Sequence, residues 1–227
     1  MENKTIEFVC TANNGRSTIS RAIAQDYLVR QNLDLEYRSI SSGSHADSVL
    51  AGNMPLRIKK MVIESGFRDG ICDDTEFGLV KGYNLEDVEK VCSENGQYKS
   101  FFDQTAEKCR AHYSDIEEAE CREVAQELGI EKFLDGNFKQ TQAREDVIAV
   151  MSMGASNLKA VDGIYVASDY NPITGIISKY VLGEDEAEVQ NAFSKGKDVY
   201  MAVVDQLREL VPRAIDKVIN ETGTGSK

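Results

Sequence analysis

The sequence predicts a doubly wound α/β fold: a four-stranded parallel sheet with flanking helices, plus a mostly helical insertion. Three observations point there. Short apolar runs alternate with helical periodicity in the first third and the last third of the chain. The first run passes through an Asn- and Gly-containing turn directly into a helix pattern. The middle of the chain breaks this rhythm and carries most of the net charge. The α/β core is accordingly assigned to residues 1–70 and 144–220, an acidic helical insertion to 71–143, and a frayed polar tail to 221–227.

Taken in order, Thr5 to Val9 is a compact apolar strand ending at Cys10, and Thr11 to Arg16 is turn-forming. From Ser17 to Arg30 the apolar residues Ile19, Ile23 and Tyr27 recur every four positions, the spacing of one helix face. A second strand is expected over Leu35–Ser41, closed by Ser42-Gly43-Ser44. Pro55 suits the start of a helix reaching Ser65, with Gly66 as its cap. Asp146 to Met151 reads as a buried parallel strand, Ala155 to Val161 as a short helix, and Gly163 to Ala167 as a further strand. Asp185 to Asn220 is helical by pattern, interrupted or kinked at Pro212. Within the insertion, Phe101, Phe102, Ala106, Cys109 and Tyr113 approximate one helix face, and Asp115 to Leu128 fits a second, acidic helix.

Composition narrows the function classes. The net charge of −12 argues against nucleic acid, whose backbone calls for clustered Lys and Arg. Residues 71–143 hold 17 acidic against 8 basic residues, so the acidity is concentrated in the insertion. No apolar run is long enough to span a membrane, and the first residues lead into a strand rather than a secretion signal. Five cysteines without a CxxC pair fit reduced thiols, so the expected setting is cytoplasmic.

The first strand, turn and helix hold the candidate chemistry. A strand-to-helix turn offers backbone N–H groups around a concavity, and the helix start adds a partial positive field suited to phosphate. Thr11, Ala12, Asn13, Asn14, Gly15, Arg16 and Ser17 form that candidate phosphate-binding stretch. Arg16 supplies a planar guanidinium able to grip two oxygens at once. Cys10 stands where the same field favours thiolate over thiol, and Ser17 is placed to donate a hydrogen bond to it. On spacing alone, the same residues equally describe an inert buried thiol, an ordinary turn and a solvated arginine.

Val9-Cys10-Thr11-Ala12-Asn13-Asn14-Gly15-Arg16-Ser17 resembles the V-C-x-G-N-x-C-R-S signature of the low-molecular-weight protein tyrosine phosphatases. Ser41-Ser42-Gly43-Ser44 is similar to that family's S-A-G-T turn, and Asp146 to Met153 to its strand ending in methionine. Asp169-Tyr170-Asn171-Pro172-Ile173-Thr174-Gly175 falls where the family has its Asp-Pro loop. The resemblance covers residues 4–70 and 144–220. It implies a cysteine-dependent phosphomonoester hydrolase: Cys10 attacks phosphorus, Arg16 and the loop amides stabilise the transferred oxygens, and water releases a phosphocysteine. Asn13 would hold the loop's strained shape. No cofactor or metal is implied, and the substrate would be a phosphorylated protein or a small-molecule phosphomonoester.

Several positions depart from that pattern. The family's acid precedes proline, where this chain has Asn171, so Asp169 is the substitute candidate for proton donor. Gly15 replaces the second loop cysteine, Ala12 a glycine, and Ile173 and Thr174 the tyrosines after Pro172. Cys72, Cys92, Cys109 and Cys121 all lie in the insertion. Cys10 with Cys72 and Cys92 would suit a thiol-relay arsenate reductase, a fold relative, while loss of the acid would leave a pure phosphate-binding module. Cys109, His112 and Cys121 form a weak zinc pattern, and His45 is expected at the surface or pocket rim. The insertion is expected to lie apart from the chemistry and to serve a protein partner or self-association.

Overall fold

The structure, a computed structural model, describes residues 3–135, 139–193 and 195–223. Its elements run β1 (Lys4–Cys10), α1 (Arg16–Arg30), β2 (Tyr37–Gly43), α2 (Ala46–Leu50), α3 (Leu56–Arg68), α4 (Asp74–Phe77), α5 (Leu85–Glu94) and α6 (Gly96–Glu127). A single 3₁₀ turn over Glu131–Phe133 follows, then β3 (Val147–Ser152), α7 (Ala155–Val166), β4 (Ile173–Ile176), α8 (Ile177–Leu182) and α9 (Lys197–Gly223). The chain divides into two compact units, residues 1–47 with 118–227, and residues 48–117.

The first unit is the expected doubly wound sheet. Four parallel strands lie in the order β2-β1-β3-β4. Central β1 pairs Cys10 with Gly43 on β2 and Val9 with Ser152 on β3, and Ser152 in turn pairs with Ile176 on β4. All four carboxyl ends therefore point the same way, which puts ligand sites at that edge. Alternation along β1 sends Ile6 and Phe8 to one face and Val9 to the other. On the first face α1 contributes Ile19 and Ile23, and α9 contributes Val203, Leu207 and Val211. Full burial of a side chain such as Leu207 stabilises by roughly 1.5–3 kcal/mol. On the second face α7 sets Val161 and Tyr165, four apart, against Val9, Val147 and Val150.

That four-residue spacing corrects one expectation. Gly163 to Ala167 is not a strand; residues 163–166 complete α7, and the fourth strand is Ile173–Ile176. A short β-branched and aromatic run fits either element, and only the sheet beneath shows that Tyr165 is buried while Val166 is 86% exposed. The second strand begins at Tyr37 rather than Leu35, whose side chain is solvent-exposed. Residues 185–193 and 195–196 are not helical, and α9 runs uninterrupted through Pro212 to Gly223. Residues 221–223 of the expected tail thus belong to α9, and 224–227 lie outside the described residues.

The second unit is helical. Pro55 stands immediately before α3, and Asp73 and Asn84 close reciprocal capping boxes at α4 and α5. Gly66 lies inside α3 rather than capping it: a Cβ there would fall 2.5 Å from Cys109 Sγ and 3.2 Å from Cys72 Sγ. The two helices expected around residues 101–128 are one, α6. Of the face expected on it, Phe102, Ala106, Cys109 and Tyr113 are buried and Phe101 is exposed. The phenyl rings of Phe67 and Phe77 stack at 4.0 Å, Lys59 pairs with Asp103 at 2.7 Å, and Tyr113 donates to Asp69.

Candidate active site

The site is built where β1 runs out. Cys10 is 5% exposed, and the chain turns through residues 11–15 into α1. Asn13 makes the turn with φ of 57°, a left-handed conformation that asparagine tolerates better than other side-chain-bearing residues. Its backbone carbonyl accepts from Thr18 Oγ1 at 3.3 Å, and its Oδ1 accepts from Ser17 Oγ at 2.9 Å. Ser17 Oγ lies 3.0 Å from Cys10 Sγ. Gly15, at the helix cap, has no side chain to bond the first-turn N–H groups of α1, and a helix start of that kind suits an anion.

The neighbouring strand braces this loop from below. Ser44 N–H donates to the Cys10 carbonyl at 2.8 Å, and His45 N–H donates to the Thr11 carbonyl at 2.9 Å. A Cβ on Gly43 would meet backbone atoms of Ala12, Asn13 and Thr11 at 2.7–2.8 Å. Only glycine lets β2 approach so closely, which is the physical content of the Ser-Ser-Gly-Ser turn.

Two residues that sequence reasoning missed complete the surroundings. Asn157, in the first turn of α7 and 2% exposed, donates through Nδ2 to Thr11 Oγ1 at 3.3 Å and to Ser44 Oγ at 3.0 Å. Ser44 Oγ also lies 2.9 Å from Nδ1 of half-buried His45. Glu188 accepts from Ala155 N–H at 2.9 Å at the same helix start. Asn157 is a polar residue on the helix side otherwise carried by Val161, a sequence signal; nothing local distinguishes Glu188 from the acids around it. Half-buried Arg16 donates from Nη1 to the Val189 carbonyl at 3.1 Å, and its own carbonyl accepts from Ser20 Oγ at 2.7 Å.

The structure thus groups Cys10, Thr11, Ala12, Asn13, Asn14, Gly15, Arg16 and Ser17 in one loop and helix start. It does not bring Asp169 to them. Asp169 is exposed in the turn before β4, at the amino end of a parallel strand whose carboxyl end faces Cys10. The four residues of β4 alone separate those ends by about 10–13 Å. Asn171 and Pro172 share that far edge.

Chemically, the cluster offers a movable proton. Ser17 has one hydroxyl hydrogen: given to Asn13, it leaves the Cys10 thiol to donate to Ser17; turned to Cys10, it stabilises a thiolate. Behind the loop, Glu7 of β1 is 1% exposed, and Ser42 Oγ donates to its Oε1 at 2.5 Å. Burial pushes the Glu7 carboxyl up to about 7. At the opposite edge Asp146 overcomes burial, which alone would raise its pKa; hydrogen bonds from Thr5, Arg38 and Arg144 hold it well below the carboxylate range.

The other cysteines arrange themselves differently from the relay pairing. In the second unit Cys72 lies 3.9 Å from Cys109, and Cys92 is half-buried. Burial, with Cys72 adding to it, pushes the Cys109 thiol up to about 12. Cys121 is buried in the first unit's core. Among the described residues no group of three or more His, Cys, Asp or Glu is arranged to hold a metal, and no helix is long and apolar enough to cross a membrane.

The strand order, the crossover into α1 and the loop at its start define the fold of the low-molecular-weight protein tyrosine phosphatases. Three solved structures illustrate the likeness. One is a low-molecular-weight protein tyrosine phosphatase from T. tengcongensis, 16% identical, covering 94% of this chain and 98% of its own, with a TM-score of 0.54. The YwlE arginine phosphatase from Geobacillus stearothermophilus is 16% identical, covers 98% and 97%, and also scores 0.54. Vibrio vulnificus Wzb, solved with benzylphosphonate, is 14% identical, covers 95% and 99%, and scores 0.51. No family model matches the sequence, and no curated protein matches it.

Proposed function

We propose that this chain is a cysteine-dependent phosphomonoester hydrolase. The observation that carries the reading is the 3.0 Å approach of Ser17 Oγ to Cys10 Sγ, at the mouth of a loop that ends in Arg16 at a helix start. In the proposed reaction the Cys10 thiolate attacks phosphorus and the P–O bond to the leaving group breaks. The leaving oxygen takes a proton, and water then cleaves the S–P bond to release inorganic phosphate and the thiolate. Arg16 and the first-turn amides of α1 hold the equatorial oxygens, and the Ser17 hydroxyl stabilises sulfur as it leaves.

With Asp169 at the far edge, the proton donor is proposed among Glu184, Asp185 and Glu186. They lie on the segment that follows β4 and α8 and returns to Arg16 at Val189. The substrate is proposed to be a phosphorylated protein or a small-molecule phosphomonoester; the compared structures include both a tyrosine and an arginine phosphatase by title. Reduced cysteines support a cytoplasmic setting. We also assign the acidic segment 71–143 to a protein partner or self-association; a constant monomer mass in light scattering over a hundredfold concentration range would exclude the second.

Hydrolysis of p-nitrophenyl phosphate by the full chain tests the main reading. Wild type should turn over, Cys10→Ser should not, and a quenched reaction should yield phosphate covalently bound to Cys10. Turnover that survives Cys10→Ser removes the thiol mechanism. A wild type that binds phosphate without turnover is a binding module, the reading favoured by the placement of Asp169.

A further inference from the structure

Residues 183–193 form a strap that begins at Gly183, whose φ of 130° suits glycine, and comes back over the loop end of the sheet. Its anchors are two side chains buried in the first unit's core, Val189 and Ala192, 2% and 3% exposed. Its polar ties are fewer and more telling. The Val189 carbonyl receives Arg16 Nη1, and the adjacent Glu188 carboxylate receives Ala155 N–H at the start of α7. A Cβ on Gly154 would lie 2.4 Å from Glu188 Oε2, so the glycine is what admits the carboxylate. The same first turn of α7 carries Asn157, which holds Thr11 and Ser44.

From this geometry we infer that Glu188 is a positioning residue: by tying the strap to α7, it fixes the Val189 carbonyl that orients the Arg16 guanidinium toward a bound phosphoryl group. The inference rests on the phosphatase reading for its catalytic consequence, though not for its effect on anion binding. An arginine has five N–H donors in a planar fork, and one bond from Nη1 leaves the remaining edge available for two phosphate oxygens. Fixing the plane beforehand removes rotamer freedom that phosphate would otherwise have to restrict. Both walls of the cradle, the loop through Asn157 and the arginine through Glu188, are thereby referred to one rigid element. The exposed carboxylate itself is not required to touch the substrate; its work is done through Val189.

Four full-length proteins test this: wild type, Glu188→Ala, Glu188→Gln and Gly154→Ala. The readouts are p-nitrophenyl phosphate kinetics, inorganic phosphate affinity by calorimetry, and hydrogen exchange over 183–193. Glu188→Ala should lower kcat/KM about tenfold or more, since small displacements of a positioned group are costly. It should also weaken phosphate binding and speed exchange in the strap. Glu188→Gln keeps an oxygen to accept from Ala155 N–H and should stay within about threefold of wild type. Gly154→Ala keeps the carboxylate but evicts it, and should behave as Glu188→Ala does. The assignment is overturned if Glu188→Ala binds phosphate and exchanges as wild type does, or if Glu188→Gln is as impaired as Glu188→Ala, which would signify proton transfer. Should wild type bind phosphate yet hydrolyse nothing, the phosphatase reading fails, and phosphate affinity with strap exchange still decides the role of Glu188.

Discussion

Glu7 gives the sharpest quantitative test of the core behind the loop. It sits on central β1 with one carboxylate oxygen bonded to Ser42, and burial lifts its pKa from 4.5 to about 7. The Arg144 charge and the Ser42 hydroxyl favour ionisation, but not enough to offset desolvation. Because folding raises this pKa, the native state holds the proton more tightly than the unfolded chain between pH 4.5 and 7. The stabilising contribution is therefore complete below pH 4.5 and is lost as pH climbs through 7. A gap of about 2.5 pH units at about 1.36 kcal/mol each makes ionised Glu7 a burden of roughly 3 kcal/mol at pH 8. Glu7→Gln keeps the shape and an acceptor for Ser42 while removing the charge. The variant should match wild type near pH 4.5 and exceed it at pH 8 by roughly 3 kcal/mol, or about 6–12 °C in Tm. Urea titrations of both proteins at several pH values measure this, and His45 and His112 cancel in the difference. A difference between the two proteins that does not change with pH would refute the assignment of Glu7 as a buried, neutral-range carboxyl.

Gly43→Ala should force a methyl into the backbone of residues 11–13, abolishing phosphate binding and lowering stability by about 1–3 kcal/mol in thermal melts. Asn157→Ala removes the donor shared by Thr11 and Ser44; a loss of about 1–3 kcal/mol is expected in urea titration, with weaker phosphate binding by calorimetry. Asp169→Asn should leave kcat and its pH profile within about twofold of wild type, whereas loss of a true general acid costs ~10²–10⁴-fold. A large drop there would mean that the turn before β4 reaches the opposite edge of the sheet.

How legible each part was depends on how local its cause is. The strand, turn and helix from Lys4 to Arg30 could be read directly, because apolar period, Asn and Gly turn chemistry, and the fixed reach from Cys10 to Arg16 all act within a few residues. Strand β3 was legible for the same reason. The four-strand parallel architecture followed from alternation of such units. The run at 163–167 was misread because a short β-branched segment satisfies both periods, and only packing against Val9 and Val150 decides between them.

Asp169 illustrates the other limit. Its neighbourhood, an acid two residues before Asn171, is adjacent in sequence to a strand whose carboxyl end shares the sheet edge of Cys10. Which end of that strand it occupies is set by the parallel pairing of Ser152 with Ile176, a relation between segments and not a property of either. That Cys10, Arg16 and Ser17 fall on one strand-turn-helix unit was legible in the sequence alone, since strand, turn and helix are each set by residues close together in the chain. The companions Asn157, Glu188 and Val189, and the close approach that requires Gly43, were decided only by tertiary structure. Their roles arise from burial and from approaches of a few ångströms between chain segments up to 173 residues apart, as Arg16 and Val189 are.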